Sequence, residues 1–374
     1  MLKIIADENI PYAAELFGNW GTVISLPGRD INAELVKDAD ILLVRSVTSV
    51  NADLLTKSRL KFVGSATAGL DHIDLAWLQQ AGIAFADAKG LNANAVAEYV
   101  VSCVAWLRQS NILLAAKPTA AIIGVGNVGK KVASHLSLLG FKILCNDPPR
   151  ATTEADFPQT PLTALTIADL ICLHTPLLRH GAHPTYHLIE QNFLSRLKPG
   201  SVILNAGRGA VVDNTAITAA GQHLKWCLDV WEHEPNLDLK ILEQTILATP
   251  HIAGYTLEAK LRGTLLLFEA AQSALNLSVP MITKPLLSEY RLTLTPHTHS
   301  WESAVLQIYN PYHDTQSMRR QLLAAETNIA QSFDALRRHY VRRREFASIT
   351  LHGVHSLPKI DQEILTQLGM RLAS

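Results

Sequence analysis

The chain has 374 residues, which is too long for one hydrophobic core and predicts two or three domains. Lysine plus arginine and aspartate plus glutamate both number 33, so no bulk positive charge exists to bind nucleic acid or an anionic membrane surface. The hydrophobic content of 48%, without any apolar stretch long enough to span a bilayer, predicts a globular protein whose partner is a small molecule.

The cysteines and the N-terminus predict the compartment. The four cysteines are isolated and lack the C-x-x-C spacing of a zinc or redox site, so we interpret them as core thiols. The first residues lack the long apolar region of a signal peptide. A cytoplasmic location is therefore expected.

Residues 1–94 alternate short apolar strands with helical segments, the pattern of a parallel α/β sheet. Ligands bind outside the carboxyl ends of such strands, where Ser46 follows one predicted strand and Thr67 another. The small residues Thr67, Ala68 and Gly69 form either a nest of backbone N–H groups for a carboxylate or phosphate, or an ordinary βα turn.

The stretch that begins at Thr119 predicts a dinucleotide-binding cradle. An apolar strand leads into Gly124-Val125-Gly126-Asn127-Val128-Gly129, which spells G-x-G-x-x-G, and a helical segment follows. Gly124 makes the tight turn, Gly126 lets a pyrophosphate approach the backbone, and Gly129 lets the helix pack closely on the strand. The N-terminus of the helix then faces the phosphates.

Asp147 lies at the end of the next strand, about 20 residues past the glycines. A carboxylate at that place hydrogen-bonds a ribose 2′-hydroxyl and repels a 2′-phosphate, so NAD is favoured over NADP. Arg150 is near enough in sequence to accommodate the extra phosphate, which leaves NADP as the alternative.

The predicted fold class is α/β, with two Rossmann-like doubly wound parallel-sheet domains and a small α+β C-terminal dimerisation domain. Residues 95–256 form the NAD-binding domain, and a helix over Thr256–Asn276 returns the chain, so that residues 257–279 join residues 1–94. Beyond Pro285 the βαβ alternation stops, and one long helix is predicted over Gln316–Val341. Residues 286–374 have too few strands to bury their apolar surface alone, so a homodimer is expected.

Three predicted strand ends each deliver one ionisable residue to the same edge of the sheet. Arg208 stands between two glycines after one strand, Glu234 precedes a proline after the next, and His251 follows a proline after the third. Taken singly, Arg208 and Glu234 are as readily surface charges, and His251 a loop histidine. Together they form the set that oxidation of an alcohol requires.

Loss of a hydride from a secondary alcohol must be accompanied by loss of the hydroxyl proton, and His251 can accept that proton. Glu234, bonded to the other ring nitrogen, would fix the tautomer and raise the pKa of the histidine. Arg208 can bind the carboxylate of a 2-hydroxy acid with its planar fork and polarise the developing carbonyl oxygen.

These segments resemble the D-isomer-specific 2-hydroxyacid dehydrogenases. The sequences that carry the resemblance span most of residues 1–260; they are DENIPYA, VRSVT, GSATAGLDHID, GVGNVGK, NDPPR, LHTPL, LNAGRGAVVDN, LDVWEHEP and PHIAGYTLE. NDPPR, HIAGYT and the additional C-terminal segment are features of a group whose substrate is a phosphorylated 2-hydroxy acid.

The resemblance implies roles for individual residues. The active-site residues would be Arg208, Glu234 and His251, with His251 as proton donor or acceptor. Ser46, Thr67 and Tyr255 would bind substrate. Besides the cradle residues Gly124, Gly126, Asn127, Val128 and Gly129, the contacts to NAD would come from Asp147, Thr175, Ala206, Gly207, Arg208, Asp229 and Gly254.

The roles of a histidine cluster and of several arginines remain open at this point. His180, His183 and His187 lie close in sequence, but their spacing is not that of a zinc site, and a solvated loop with no metal is the favoured interpretation. A substrate phosphate needs a cation, and the candidates are Arg45, at a predicted strand end, and the run of Arg342, Arg343 and Arg344, for which a solvated helix end is slightly favoured.

Two other functions also remain open. One is a different dehydrogenase of the same family, acting on 3-phosphoglycerate or another 2-hydroxy acid. The other is an NAD-sensing regulatory protein of the corepressor type, against which the intact set of Arg208, Glu234 and His251 argues.

Overall fold

The computed structural model describes residues 1–67, 69–220, 223–278, 287–324, 328–340 and 343–373. The strands are β1 (Leu2–Asp7), β2 (Gly21–Leu26), β3 (Ile41–Val44), β4 (Phe62–Ser65), β5 (Ala84–Asp87), β6 (Thr119–Ile123), β7 (Lys142–Asn146), β8 (Leu170–Leu173), β9 (Val202–Asn205), β10 (Lys225–Leu228), β11 (Thr245–Ala248), β12 (Tyr290–Thr293), β13 (Ile349–His352) and β14 (Arg371–Leu372). The helices are α1 (Ala13–Phe17), α2 (Ala33–Val36), α3 (Ala52–Leu55), α4 (Leu75–Gln80), α5 (Ala93–Gln109), α6 (Asn127–Leu138), α7 (Pro148–Thr153), α8 (Gln191–Leu194), α9 (Asn214–Ala220), α10 (Leu239–Gln244), α11 (Leu257–Leu275), α12 (Trp301–Ile308), α13 (Pro311–Leu323), α14 (Ile329–Arg338) and α15 (Lys359–Gln367).

The chain divides into two compact units. The first contains residues 1–92 and 256–288, and the second contains residues 93–255 and 289–374. Because the second unit includes both the nucleotide-binding region and the C-terminal segment, a separate third domain over residues 286–374 stays a prediction.

The first unit is a five-stranded parallel sheet in the order β2-β1-β3-β4-β5, which is the flavodoxin-like order. Successive side chains of a strand point to opposite faces, so β3 sends Ile41 and Leu43 into one core and Leu42 and Val44 into another. Helix α11 covers the first of these faces with Leu267 among others, which explains why the chain returns to this unit.

The second unit is built on a six-stranded parallel sheet in the order β11-β10-β9-β8-β6-β7. The strand order reverses at β6, so the carboxyl ends of β6 and β8 flank the switch point at which open α/β sheets bind their ligands. The predicted doubly wound sheets of both units are therefore confirmed.

The C-terminal segment buries its apolar side chains within its own chain. Trp301 and Phe346 belong to the core on one face of the six-stranded sheet, while Met318, Leu322 and Phe333 belong to the core on the other face. The segment was expected to need a partner chain to bury its apolar surface, but these side chains pack on the six-stranded sheet of the same chain, a contact that its distance in sequence conceals.

Two further expectations for the C-terminal segment were wrong. The helix predicted over Gln316–Val341 is two helices, α13 and α14, and its last predicted residue lies outside the described residues. The βαβ pattern does not stop either: β12, β13 and β14 form a parallel three-stranded sheet, and α15 is the crossover from β13 to β14. Within the described part of the chain, every helix is too short or too polar to cross a bilayer.

Candidate active site

The glycines after β6 have the geometry of a dinucleotide cradle. Gly124 has a φ of 84°, and a Cβ added to it would lie 2.8 Å from the backbone of His174. A Cβ on Gly129 would lie 2.0 Å from the carbonyl oxygen of Gly124, so helix α6 packs directly on the turn. A Cβ on Gly126 would meet no atom within 4 Å, which leaves open space at the N-terminus of α6. These features fit a pyrophosphate against the backbone.

The carboxylate of Asp147 joins the cradle to the end of β7. Its Oδ2 accepts a hydrogen bond from the Val125 N–H at 2.8 Å, and its Oδ1 accepts one from the Arg150 N–H at 3.2 Å. The Arg150 guanidinium is paired with Glu154 and donates to the Val125 carbonyl oxygen at 2.8 Å. Because Glu154 already engages Arg150, the arginine is a poor receptor for a 2′-phosphate, and the NADP alternative is weakened.

We expect Asp147→Ala to narrow the preference for NAD over NADP, because it removes a ribose acceptor and the repulsion of a 2′-phosphate. The double variant Asp147→Ala/Glu154→Gln should narrow it further, since it also releases Arg150. Ratios of kcat/KM for the two cofactors measure the effect, and a ratio that stays at the wild-type value in both variants would contradict the assignment.

The loop after β9 is fixed by a side chain that the sequence analysis did not single out. Asn205 accepts a hydrogen bond from the Gly207 N–H at 3.1 Å and donates to the Arg208 carbonyl oxygen at 2.9 Å. A Cβ on Gly209 would lie 2.0 Å from the Trp231 carbonyl carbon. The absence of a side chain at Gly209 therefore permits the loop to approach the backbone that follows β10.

His251 and Glu234 form a hydrogen-bonded pair. His251 Nδ1 lies 2.7 Å from Glu234 Oε2, and Glu234 Oε1 accepts a second hydrogen bond from the Trp231 N–H at 2.7 Å. Both side chains are partly exposed, at 35% for His251 and 21% for Glu234. His251 has a φ of 57°, an unusual conformation for a residue other than glycine. The predicted pairing is thus present in the geometry, and Nε2 is the ring nitrogen left for a substrate.

Asp229 holds the loop that carries His251. Its carboxylate is buried and accepts hydrogen bonds from the Thr249 hydroxyl at 2.7 Å and from the N–H groups of Ile252 and Ala253 at 2.8 and 3.0 Å. Burial raises the pKa of Asp229, against the lowering by the His251 charge and by these hydrogen bonds. This arrangement supports a positioning role, while direct contact of Asp229 with NAD stays a prediction.

The two members of the pair shift each other's pKa. Burial favours the neutral forms, but the Glu234 charge and hydrogen bond outweigh it and raise the pKa of His251 above 6.5. Burial likewise raises the pKa of Glu234, yet His251 and the Trp231 N–H bring it below its usual value. The contribution of the pair to the free energy of unfolding is therefore fully present between pH 4.5 and pH 6.5. It is lost as pH rises through the raised pKa of His251 and as pH falls through the lowered pKa of Glu234.

We expect Glu234→Gln to move the acidic limb of the pH–kcat/KM profile for alcohol oxidation to lower pH. The histidine must be neutral to accept a proton, and without the glutamate charge its pKa falls, so it stays neutral at lower pH. The maximal kcat/KM should also fall, because a glutamine does not stabilise the imidazolium. A profile with an unmoved acidic limb would show that the pair does not control the titration.

The remaining predicted residues lie as follows. Thr175 follows β8, and its buried hydroxyl has no hydrogen-bond partner among the described residues, which suits a ligand contact. In the first unit, Ser46 is exposed after β3, and the Thr67 hydroxyl donates to the Gly69 carbonyl oxygen at 2.9 Å. The proposed nest also includes Ala68, which lies outside the described residues.

The histidine-rich loop does not gather its three histidines. His180 and His183 are exposed, whereas His187 Nε2 lies 2.7 Å from Glu232 Oε1. His187, Glu232 and Asp213 place ligand atoms within 4.8 Å of one another. The His187–Glu232 hydrogen bond accounts for that proximity without an ion.

The two described arginines of the basic run, Arg343 and Arg344, do not lie in a helix end. Arg343 is buried and donates to the carbonyl oxygens of Ala95 and Ala253, and the Arg344 guanidinium lies 5.6 Å from the centre of the Tyr290 ring. Arg342 lies outside the described residues. The expectation of a solvated run was wrong for Arg343, because a structural role for one arginine among three is not visible in the sequence.

A different arginine of the C-terminal segment lies beside the predicted site. Arg337 in α14 donates through Nη2 to the Tyr255 hydroxyl at 3.1 Å. Its charge lowers the pKa of Glu234 and opposes the raised pKa of His251. Nothing in the sequence distinguished Arg337 from its neighbour Arg338.

Comparison with known proteins gives the class that this fold and site define. Residues 95–253 match the NAD-binding domain of the D-isomer specific 2-hydroxyacid dehydrogenases, which confirms NAD as the predicted cofactor. D-lactate dehydrogenase from Aquifex aeolicus, solved with NAD and lactic acid, is 25% identical, with a TM-score of 0.59 over 73% of this chain and 95% of that chain. NAD-bound 3-phosphoglycerate dehydrogenase from Entamoeba histolytica shares the fold at 23% identity, with a TM-score of 0.61 over 76% and 99%.

Curated relatives narrow the class. Erythronate-4-phosphate dehydrogenase from Coxiella burnetii is 48% identical over 94% of this chain and 95% of its own length. The enzyme of the same name from Klebsiella pneumoniae is 45% identical over 93% of both chains. The chain belongs to the erythronate-4-phosphate dehydrogenase family, within the D-isomer specific 2-hydroxyacid dehydrogenases. Residues 281–369 match a family described only as a domain of unknown function.

Proposed function

We propose that the protein oxidises 4-phospho-D-erythronate to (R)-3-hydroxy-2-oxo-4-phosphobutanoate with NAD, a step in pyridoxal 5′-phosphate (vitamin B6) biosynthesis. The substrate follows from the names of relatives that are 43% to 48% identical over most of the chain. The observation that carries the chemistry is the 2.7 Å hydrogen bond between His251 and Glu234.

In this proposal the chain supplies the base and the clamp for the substrate. NAD supplies the hydride acceptor. His251 Nε2 takes the hydroxyl proton as the C2–H bond breaks and the C2–O bond becomes a carbonyl, and Glu234 stabilises the imidazolium that results. Arg208 binds the carboxylate and polarises the developing carbonyl oxygen. Ser46, Thr67 and Tyr255 are proposed as further substrate contacts.

The cofactor contacts belong to the same proposal. Gly124 to Gly129 would hold the pyrophosphate and Asp147 the adenosine ribose. Thr175, the loop of Ala206 to Arg208, and Gly254 would complete the contacts. The buried Thr175 hydroxyl supports this assignment, because the described part of the chain offers it no hydrogen-bond partner.

A panel of 2-hydroxy acids with and without a terminal phosphate tests the substrate. NADH formation should be most efficient, in kcat/KM, with 4-phospho-D-erythronate and lower with D-erythronate and 3-phospho-D-glycerate. A higher kcat/KM for 3-phospho-D-glycerate would assign the protein to the rival dehydrogenase activity. The same ranking with NADP in place of NAD would leave the substrate proposal intact and contradict only the cofactor preference.

We further propose a homodimer formed through residues 286–374. Its support is the edge strand β12, which pairs only with β13 among the described strands and exposes 41% of Tyr290. A stable isologous interface should bury at least about 1,200 Å² in total. Sedimentation of the full-length protein at several concentrations should give dimers, and a monomer throughout would contradict the assignment. A cytoplasmic location, supported by four free thiols, completes the proposal.

A further inference from the structure

Arg337 carries hydrogen-bonding capacity that its protein contacts do not use. Nη2 donates to the Tyr255 hydroxyl at 3.1 Å, and the guanidinium carbon lies 5.9 Å from the ring centres of both Tyr255 and Phe333. The Nε atom is buried and has no hydrogen-bond partner among the described residues. A buried donor of a charged group is costly to leave unpaired, so this side chain is suited to an additional acceptor.

The hydrogen bond to Tyr255 places Arg337 beside the loop that carries His251. Tyr255 lies four residues after His251 on the same loop. The Arg337 charge acts to lower the pKa values of both His251 and Glu234. Binding of an anion beside Arg337 would offset this effect.

Two further arginines of the C-terminal segment make contacts elsewhere. Arg343 donates to backbone carbonyl oxygens of Ala95 and Ala253, and Arg344 lies over the ring of Tyr290. Arg208 is already assigned to the carboxylate of the substrate, so a substrate with a second anionic group calls for another cation. The planar fork of arginine suits a phosphate, whose oxygens it can bind in pairs.

We propose that Arg337 binds the terminal phosphate of the substrate, so that the C-terminal segment supplies part of the active site. The inference rests on the proposed function for the identity of that anion. It gives a catalytic-site role to a segment whose family description assigns none.

The test compares full-length Arg337→Gln and Arg337→Lys with wild type and with the control Arg338→Gln, which alters the exposed arginine next to it on α14. For Arg337→Gln, kcat/KM should fall about 10- to 100-fold with 4-phospho-D-erythronate, as expected for a lost hydrogen bond to a charged group. The loss with D-erythronate should be within about 3-fold, since that substrate has no phosphate to bind. Arg337→Lys should retain part of the phosphate preference, and Arg338→Gln all of it.

Equal losses on both substrates, or a shift of the pH profile with unchanged KM, would make Arg337 a positioning residue for Tyr255 and His251 and overturn the inference. Unchanged kinetics in Arg337→Gln would overturn it as well. Thermal unfolding and NAD affinity of each variant verify that the fold is retained.

Inorganic phosphate separates this inference from the proposed function. It should inhibit oxidation of D-erythronate, or of whichever 2-hydroxy acid the wild type oxidises, and Arg337→Gln should weaken that inhibition about 10-fold or more. If the wild type does not oxidise 4-phospho-D-erythronate, the proposed function fails, and phosphate inhibition still decides the role of Arg337. Inhibition equal in wild type and Arg337→Gln would overturn the inference alone.

Discussion

His251→Asn should lower kcat by a factor on the order of 10² to 10⁴, the usual contribution of a general base, while the affinity for NAD remains close to that of the wild type. Asparagine cannot take up the hydroxyl proton. The glycines proposed to bind NAD lie in the turn after β6 and in the first turn of α6, and Asp147 directly follows β7, whereas His251 follows β11. Steady-state kinetics and NAD titration of the purified variant measure the two effects separately.

The matched control is His180→Asn, which changes an exposed histidine of the same protein. It should leave both turnover and NAD affinity unchanged. Loss of NAD affinity together with turnover in His251→Asn would show that the residue maintains the cofactor site rather than the chemistry. Retention of wild-type turnover would assign the proton transfer to another group.

Gly129→Ala should destabilise the protein by about 3 kcal/mol or more, because its added Cβ would lie 2.0 Å from the Gly124 carbonyl oxygen. The contact is with backbone, which cannot rotate away as the end of a side chain can. Urea unfolding of the variant and the wild type gives the difference in the free energy of unfolding.

Gly126→Ala is the comparison, since its Cβ would meet no protein atom within 4 Å. It should leave the free energy of unfolding nearly unchanged and weaken NAD binding about 10-fold or more, because the methyl group occupies the space where the pyrophosphate approaches. Equal destabilisation by both alanines, or wild-type NAD affinity in Gly126→Ala, would contradict the interpretation of this turn as a phosphate cradle.

The sequence predicted those features whose signal is local. Buried parallel strands are short apolar runs, so the strands before Ser46 and Arg208 could be predicted, and the glycine fingerprint located the turn after β6. Because carboxyl ends of parallel strands meet at one edge of a sheet, the His251–Glu234 hydrogen bond could be inferred from residues 17 positions apart.

Prediction from the sequence failed where the structure depends on contacts between residues that are distant in the chain. The sequence did not show which surface buries the apolar residues of α12 to α14, because the sheet they cover lies more than 40 residues earlier in the chain. The side chains of Asn205 and Arg337 are distinguished only by the atoms they meet, and the sequence shows no period or spacing that marks them. The role of Arg343 was misjudged for the same reason.

The central claim is that this chain catalyses dehydrogenation with the set of Arg208, Glu234 and His251, and product analysis tests it most directly. The full-length protein, incubated with NAD and 4-phospho-D-erythronate, should form NADH and (R)-3-hydroxy-2-oxo-4-phosphobutanoate in equal amounts over many turnovers, with the product identified by mass spectrometry. Binding of NAD and substrate without formation of either product would contradict the claim and favour an NAD-sensing regulatory protein.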